Sequence, residues 1–162
     1  MTTENEEIIY VGVDDGFRAT KIVTSTGFQL AVPSLARSGF ALTSIGSDED
    51  AGIGGYETDK RQFTVDSEID GEDTRFDDYS LTEINRVLVN HVMQRAGLGG
   101  KRVALATGLP FQSFFIAGSS DANQELISRK KYGKDFLKFH TGRRYLIKNF
   151  PSALAMSRPF VP

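Results

Sequence analysis

The chain has 162 residues, of which 40% are hydrophobic and 25% are charged, and its formal net charge is −2. This length fits one domain with a real hydrophobic core. Cysteine is absent, so disulfide frameworks, thiolate zinc sites and thiol nucleophiles are excluded. No apolar run reaches the roughly 20 residues of a membrane span, and the first seven residues are acidic and polar, unlike a signal peptide. We expect a single domain over 1–162 that is cytoplasmic and has no membrane partner.

Three strands open the predicted order of elements. Each is a short apolar or alternating segment, and glycine turns separate them: 8–14, 19–25 and 28–33. Such short turns predict that neighbouring strands are antiparallel. The Ser-, Gly- and Asp-rich segment 34–55 is predicted to be a loop, and 56–65 is predicted to be a small hairpin that turns at Asp59-Lys60.

The clearest helix follows an acidic connection. Ser80 and Glu83 have the spacing of a capping box. Apolar residues recur at helical spacing over 84–92, and Gly97 is a natural helix stop. His91 lies on the same stripe, so it is interpreted as a packing residue rather than a ligand.

The rest of the chain predicts a mixed α/β domain. A buried strand at 103–106 comes after the helix, which indicates a crossover connection onto the sheet of the first strands. The later predicted elements are a short apolar helix at 111–115, a helix over 122–132, a hairpin at 136–147 and a last strand over 153–161. The expected fold class is therefore α/β, with a mixed sheet that is opened by three antiparallel strands and flanked by helices.

The first turn carries the candidate chemistry. Asp14 and Asp15 end an apolar strand, and Gly16 follows them. Lys21 comes five residues after that glycine, so the hairpin folds it back toward the turn. Taken alone, Asp15-Gly16 is an ordinary hairpin turn. The same turn would also offer backbone N–H groups to a phosphate, a lysine to neutralise it and a carboxylate for magnesium-bound water. A Walker-type P-loop is excluded because its pattern occurs nowhere.

This stretch, the candidate phosphate loop (residues 14–21), resembles the first phosphate loop of the actin-like ATPase superfamily. The superfamily pattern is Asp-x-Gly followed by a lysine five residues after the glycine, and Asp14, Gly16 and Lys21 occupy those positions. In particular, the chain resembles the bacterial ParM/StbA plasmid-segregation branch. Besides the Asp-Asp-Gly form, the features that carry this resemblance are Pro33-Ser34 after the third strand, the strand break at Gly108-Leu109-Pro110, and the helix with Arg129-Lys130-Lys131.

The resemblance implies the first half of an actin-like ATPase, an RNase H-like domain. It implies ATP (or GTP) with Mg²⁺, in a site that only a second domain completes. The implied phosphate-binding residues are Asp14, Asp15, Gly16, Phe17, Arg18 and Lys21, and Asp14 would hold the magnesium through water. The family forms polar filaments that push plasmid copies apart through a DNA-bound adaptor protein. Self-association and that adaptor are therefore the expected partners, and no direct nucleic-acid contact is expected.

The chain departs from the family pattern in two respects. Phe17 stands where the family commonly has Ser or Thr, so contact with the terminal phosphate must come from the backbone or be missing. The family's second phosphate loop and adenosine site belong to its second domain, and neither is found here. The family's catalytic Glu or Gln would lie near or beyond Pro162. We therefore expect this chain alone to be an inactive part of an ATPase.

Two alternatives share the same fold. One is a catalytically inactive binding or capping module. The other is an RNase H-like, metal-dependent nuclease that uses Asp14 and Asp15, with Glu83 as the candidate third carboxylate. Charge is also segregated, since 48–78 carries twelve acids and three bases whereas 129–148 carries eight bases and one acid. These segments are interpreted either as two solvated faces or as surfaces that meet in a head-to-tail assembly.

Overall fold

The computed structural model of the chain describes residues 7–39 and 54–130, together with the backbone of 138–139 and 154–155. Its strands are β1 (Ile9–Asp15), β2 (Ala19–Thr24), β3 (Gln29–Pro33), β4 (Ala36–Ser38), β5 (Gly54–Thr58), β6 (Arg61–Val65), β7 (Val103–Thr107), β8 (Lys138–Phe139) and β9 (Leu154–Ala155). Its helices are α1 (Glu83–Arg95), α2 (Phe111–Phe114) and α3 (Gln124–Arg129), and a 3₁₀ turn at Tyr79–Leu81 precedes α1.

The described strands form two sheets. The first has the order β3-β2-β1-β7-β9, and the second has the order β4-β6-β5-β8. β1 is antiparallel to β2, and β2 is antiparallel to β3. β1 is parallel to β7, with Val13 opposite Thr107, so the carboxyl ends of these two strands lie side by side. The structure therefore confirms the mixed α/β sheet and the crossover that returns the chain to it through α1.

Helix α1 packs between the two sheets. Val89, Val92 and Met93 belong to a core that includes Val11 and Val13 of β1. On another side of the helix, Ile84, Val87 and Leu88 form a second core with residues of β5 and β6: Tyr56, Phe63 and Val65. Every residue from Ile84 to Met93 is buried. The predicted one-sided stripe was therefore incomplete, because two sheets rather than one cover this helix.

The two ends of α1 differ in how well the sequence predicted them. The capping box was wrong, because Ser80 lies in the 3₁₀ turn and Thr82 is the N-cap, accepting a hydrogen bond from the Asn85 N–H at 3.3 Å. The stop at Gly97 was correct, since this glycine has φ +67°. The Leu98 N–H donates to the Met93 carbonyl at 3.1 Å, as in a Schellman motif.

The smaller elements follow the prediction in part. The hairpin turn at Asp59-Lys60 is confirmed, with φ +49° and +63°, values typical of a type I′ turn. The predicted loop over 34–55 was wrong at Ala36–Ser38, which pairs with β6 as β4, because three residues carry too little alternation to show a strand. It was also wrong at Gly54-Gly55, which begins β5. The predicted helix over 122–132 is shorter, at Gln124–Arg129. Most of the predicted 136–147 hairpin and of the 153–161 strand lies outside the described residues.

Within the described ranges, no helix is long and apolar enough to cross a membrane.

His91 is a buried core residue of α1, as predicted. It is 3% exposed, and its Nδ1 lies 2.7 Å from the hydroxyl of Tyr56, which is fully buried. Burial, assisted by the positive charge of Arg95, lowers the pKa of His91 to about 4. The imidazole is therefore neutral in the folded protein at pH 7 and joins α1 to β5 by a hydrogen bond.

Acidification should destabilise the fold through His91. Its pKa is about 4 when folded and about 6.5 when unfolded, so the unfolded chain binds the extra proton between these values and stability falls as pH drops through that window. The difference is worth about 3 kcal/mol at pH 4 and below. Urea denaturation at pH 7 and pH 4.5 would measure it. The variant His91→Gln keeps a hydrogen-bond partner for Tyr56 without titrating, and an equal loss in both proteins would contradict this assignment.

Candidate functional site

Asp14 and Asp15 point to opposite faces of β1, because side chains alternate along a strand. The Asp14 side chain is 49% exposed, and its Oδ2 lies 3.5 Å from Nζ of Lys21, its cross-strand neighbour. The Asp15 side chain is only 7% exposed and shares the face of Val11 and Val13. An exposed pair such as Asp14–Lys21 contributes little to stability, so its charges can turn toward a ligand at small cost.

The carbonyl groups of the turn are anchored to the rest of the domain. Ser34 Oγ donates to the Gly16 carbonyl at 2.8 Å, and Thr74 Oγ1 donates to the Phe17 carbonyl at 2.6 Å. The Ser34 N–H donates to the Arg18 carbonyl at 3.0 Å. These bonds draw acceptor oxygens inward, and acceptor oxygens would repel an anion. The carbonyl oxygens of Gly16, Phe17 and Arg18 are therefore occupied by donors of the domain itself.

Five of the six predicted site residues line a cavity of about 810 Å³ beside this turn that is wide open to solvent: Asp14, Gly16, Phe17, Arg18 and Lys21. The lining continues onto β3 and the residues that follow it, including Leu35 and also Pro33, the cross-strand neighbour of Ala19. Arg18 and Lys21 are both exposed, so two cations and one carboxylate border the cavity. This combination suits a phosphate together with a divalent cation.

A side chain at position 16 would be crowded by the turn's own backbone. A Cβ at this position would lie 3.1 Å from the Ala19 carbonyl oxygen, which is tighter than ordinary contact. Phe17 follows it, 48% exposed, with its ring centroid 5.6 Å from that of the buried Tyr79. Burial raises the pKa of Tyr79, so this phenol stays neutral beneath the turn. A phosphate would thus meet an aromatic ring and the backbone here, with no side-chain hydroxyl at position 17.

Asp15 lies behind the turn in a buried polar network. Lys130 Nζ donates to its Oδ2 at 2.9 Å, Asn85 Nδ2 donates to the same oxygen at 2.7 Å, and Thr107 Oγ1 donates to its Oδ1 at 3.0 Å. Lys130 also donates to the Gly108 carbonyl. Burial lowers the pKa of Lys130, and the neighbouring Asp15 opposes that shift. In this structure, Asp15 acts inside the domain, while the other predicted residues face the cavity.

Sequence reasoning missed the residues that support the turn: Ser34, Thr74, Asn85, Thr107 and Lys130. Thr107 carried a partial signal, because it directly follows the strand predicted at 103–106 on the sheet of the first strands. Thr74 lay in a segment interpreted as an acidic connection with little core, yet it is 5% exposed. Lys130 had no local signal, since 115 residues separate it from Asp15.

The geometry disfavours the nuclease alternative. Asp14 and Asp15 do not converge. Glu83, the first residue of α1, has its Oε1 3.4 Å from a guanidinium nitrogen of Arg61. No group of three or more His, Asp or Glu residues that could hold a metal ion occurs in the described part of the chain. Two-metal chemistry needs such a convergence. A single exposed carboxylate suits magnesium that is also bound to substrate phosphates.

Solved structures with this fold are actin-like proteins. The archaeal actin homologue Ta0583 in its complex with ADP matches with a TM-score of 0.58 and 15% identity, over 94% of this chain and 44% of that one. A 15-stranded ParM filament from Clostridium botulinum matches with a TM-score of 0.60 and 18% identity, over 93% and 48%. At these identities the likeness establishes the fold. The chain spans less than half the length of these proteins.

The class is therefore the actin-like, RNase H-related fold. Residues 9–150 match the family described as the N-terminal domain of the plasmid segregation protein ParM. The chain belongs to this ParM N-terminal family, as the Asp-Asp-Gly turn and the element order predicted. No curated protein sequence matches it.

Proposed function

We propose that the chain is the N-terminal, nucleotide-binding half of a cytoplasmic, filament-forming protein that segregates plasmids. The observation that carries this proposal is the candidate phosphate loop. Its turn carbonyls are bonded inward, and Asp14 and Lys21 face the adjoining cavity. The match to the ParM N-terminal family supports the same conclusion.

The proposed ligand is ATP (or GTP) with Mg²⁺, and the residues at the loop fit it. The N–H groups at Gly16–Arg18 would bind phosphate oxygens, and the cations of Arg18 and Lys21 would balance their charge. Asp14 would hold magnesium through water, since it is the exposed carboxylate at the cavity. The bound ion would supply charge neutralisation at the phosphates. The adenosine contacts would come from a second domain.

This chain alone should hydrolyse ATP negligibly. Catalysis of phosphoryl transfer depends on groups positioned on both sides of the phosphates, and the described residues supply one side. The check is a phosphate-release assay on the purified 162-residue chain. Turnover on the order of 1 per second that is lost in Asp14→Ala would show that the site is complete without a second domain.

We also propose head-to-tail self-association into polar filaments that contact plasmid DNA through a DNA-bound adaptor protein. The ParM neighbour of this fold is a filament, and the acidic 48–78 and basic 129–148 segments offer complementary charges. A non-closing head-to-tail contact propagates as a filament. ATP-dependent light scattering distinguishes this function from the capping module, which would bind without polymerising.

The charge segments should make polymerisation sensitive to salt. Rim charges govern association rate and are screened as ionic strength rises, so the critical concentration should increase along a salt series. The double variant Arg143→Glu/Arg144→Glu, at positions outside the described residues, should slow polymerisation and leave nucleotide binding intact. The prediction would be contradicted if the critical concentration did not change with salt and the double variant assembled like wild type. The two segments would then be solvated faces with no role in assembly.

A further inference from the structure

A buried lysine ties together chain segments directly behind the candidate phosphate loop. Lys130 follows α3, and its side chain is 3% exposed. Its ammonium donates both to the Asp15 carboxylate and to the Gly108 carbonyl. Asp15 immediately precedes Gly16, and Gly108 immediately follows β7. One cation therefore holds the chain where it leaves two adjacent parallel strands.

The carboxylate that Lys130 contacts is also fixed in orientation. Asn85, in the first turn of α1, donates to one oxygen of Asp15, and Thr107 at the end of β7 donates to the other. Of these three donors, Lys130 carries the charge. A buried ion pair seldom stabilises a protein more than well-packed apolar residues would. The main contribution of the Lys130–Asp15 pair is therefore to fix the orientation of the Asp15 side chain.

We infer that Lys130 is a positioning residue, which holds Asp15 inside the domain and so fixes how Asp14 and the turn at Gly16–Arg18 face the cavity. Because Asp14 and Asp15 occupy opposite faces of one strand, a rotation that releases Asp15 also turns Asp14 away. The role toward a nucleoside phosphate rests on the proposed function. The positioning itself does not, and it can be measured without any ligand.

The first measurement is hydrogen–deuterium exchange of the nucleotide-free chain. In Lys130→Met, exchange in residues 14–21 should be about tenfold faster, while exchange in α1 stays at the wild-type rate. Adding Asp15→Asn removes the stranded charge and should return the loop close to the wild-type rate. The amide keeps one acceptor oxygen for Asn85 and presents its NH2 group to the Thr107 hydroxyl, which can accept a hydrogen bond. The matched control Lys101→Met removes an exposed cation and should change neither region. If Lys130→Met does not fold, Lys130→Gln is judged by the same local criterion.

The second measurement is the affinity for Mg-ADP under conditions where circular dichroism shows every variant folded. Lys130→Met should bind about tenfold more weakly, and the double variant should recover. Unchanged loop exchange, or an equal increase in the loop and α1, would overturn the inference. So would a double variant that exchanges as fast as Lys130→Met. If wild type shows no binding while the exchange pattern is as expected, the proposed function fails and the positioning role stands.

Discussion

Replacing Asp15 with alanine should destabilise the fold by about 3–5 kcal/mol, the usual cost of stranding one partner of a buried ion pair. Lys130, 3% exposed, would lose the carboxylate that now accepts its hydrogen bond and opposes the cost of burying its charge. The Asn85 and Thr107 donors would lose the same acceptor. The measurement is the free energy of unfolding from urea denaturation at pH 7.

The adjacent residue supplies the matched control. Asp14→Ala removes a carboxylate that is 49% exposed and pairs with Lys21 at 3.5 Å, so it should cost at most about 1 kcal/mol. Without the Asp15 carboxylate the buried Lys130 ammonium loses its proton more readily, so the deficit of Asp15→Ala should narrow as pH approaches about 10, near the ordinary pKa of lysine. If the two variants lost similar amounts of unfolding free energy, the assignment of Asp15 to the interior and Asp14 to the surface would be contradicted.

Asp14 should matter for ligand binding rather than for stability. Its loss should weaken nucleotide binding although it barely changes the free energy of unfolding. Asp14→Ala and Lys21→Ala should each reduce the binding free energy of Mg-nucleotide by about 2–5 kcal/mol in the two-domain protein. The reason is that each removes a charged partner from a phosphate site that becomes desolvated when it is occupied. Asp14→Ala should also abolish filament turnover.

Calorimetric titration with Mg-ADP and Mg-ATP measures these losses. Lys101→Ala is the control, because Lys101 is an exposed cation in the turn before β7 and should bind as wild type does. If both Asp14→Ala and Lys21→Ala bound nucleotide with wild-type affinity, Asp15-Gly16 would be an ordinary hairpin turn with no role in binding.

The local elements of this fold were predictable because their signals lie within a few residues of one another. Alternation and glycine turns predicted the first three strands, and the 3.6-residue period predicted α1. The same alternation also predicts that Asp14 and Asp15 point to opposite faces of β1, since Val11, Val13 and Asp15 share one face. Interpreting the acidic pair as one group hides that distinction.

The contacts that support the site could not be predicted, because they join residues far apart in the chain. Lys130 and Asp15 are 115 residues apart, and Thr74 and Phe17 are 57 apart. Neither pairing has a fixed spacing, and each depends on how α1, β1 and β7 pack. The second sheet on α1 was missed for the same reason, since β4 has only three residues and its partner β6 lies beyond a long connection.

The central claim is that the candidate phosphate loop binds the phosphates of a magnesium nucleotide, and an NMR titration tests it most directly. Addition of Mg-ADP to the ¹⁵N-labelled chain should shift the amide signals of Gly16, Phe17 and Arg18 first, even at millimolar affinity. Adenosine, which lacks phosphates, should leave those signals in place, and Asp14→Ala should weaken the response. Absence of shifts in residues 14–21, or equal shifts with adenosine and in Asp14→Ala, would contradict the claim.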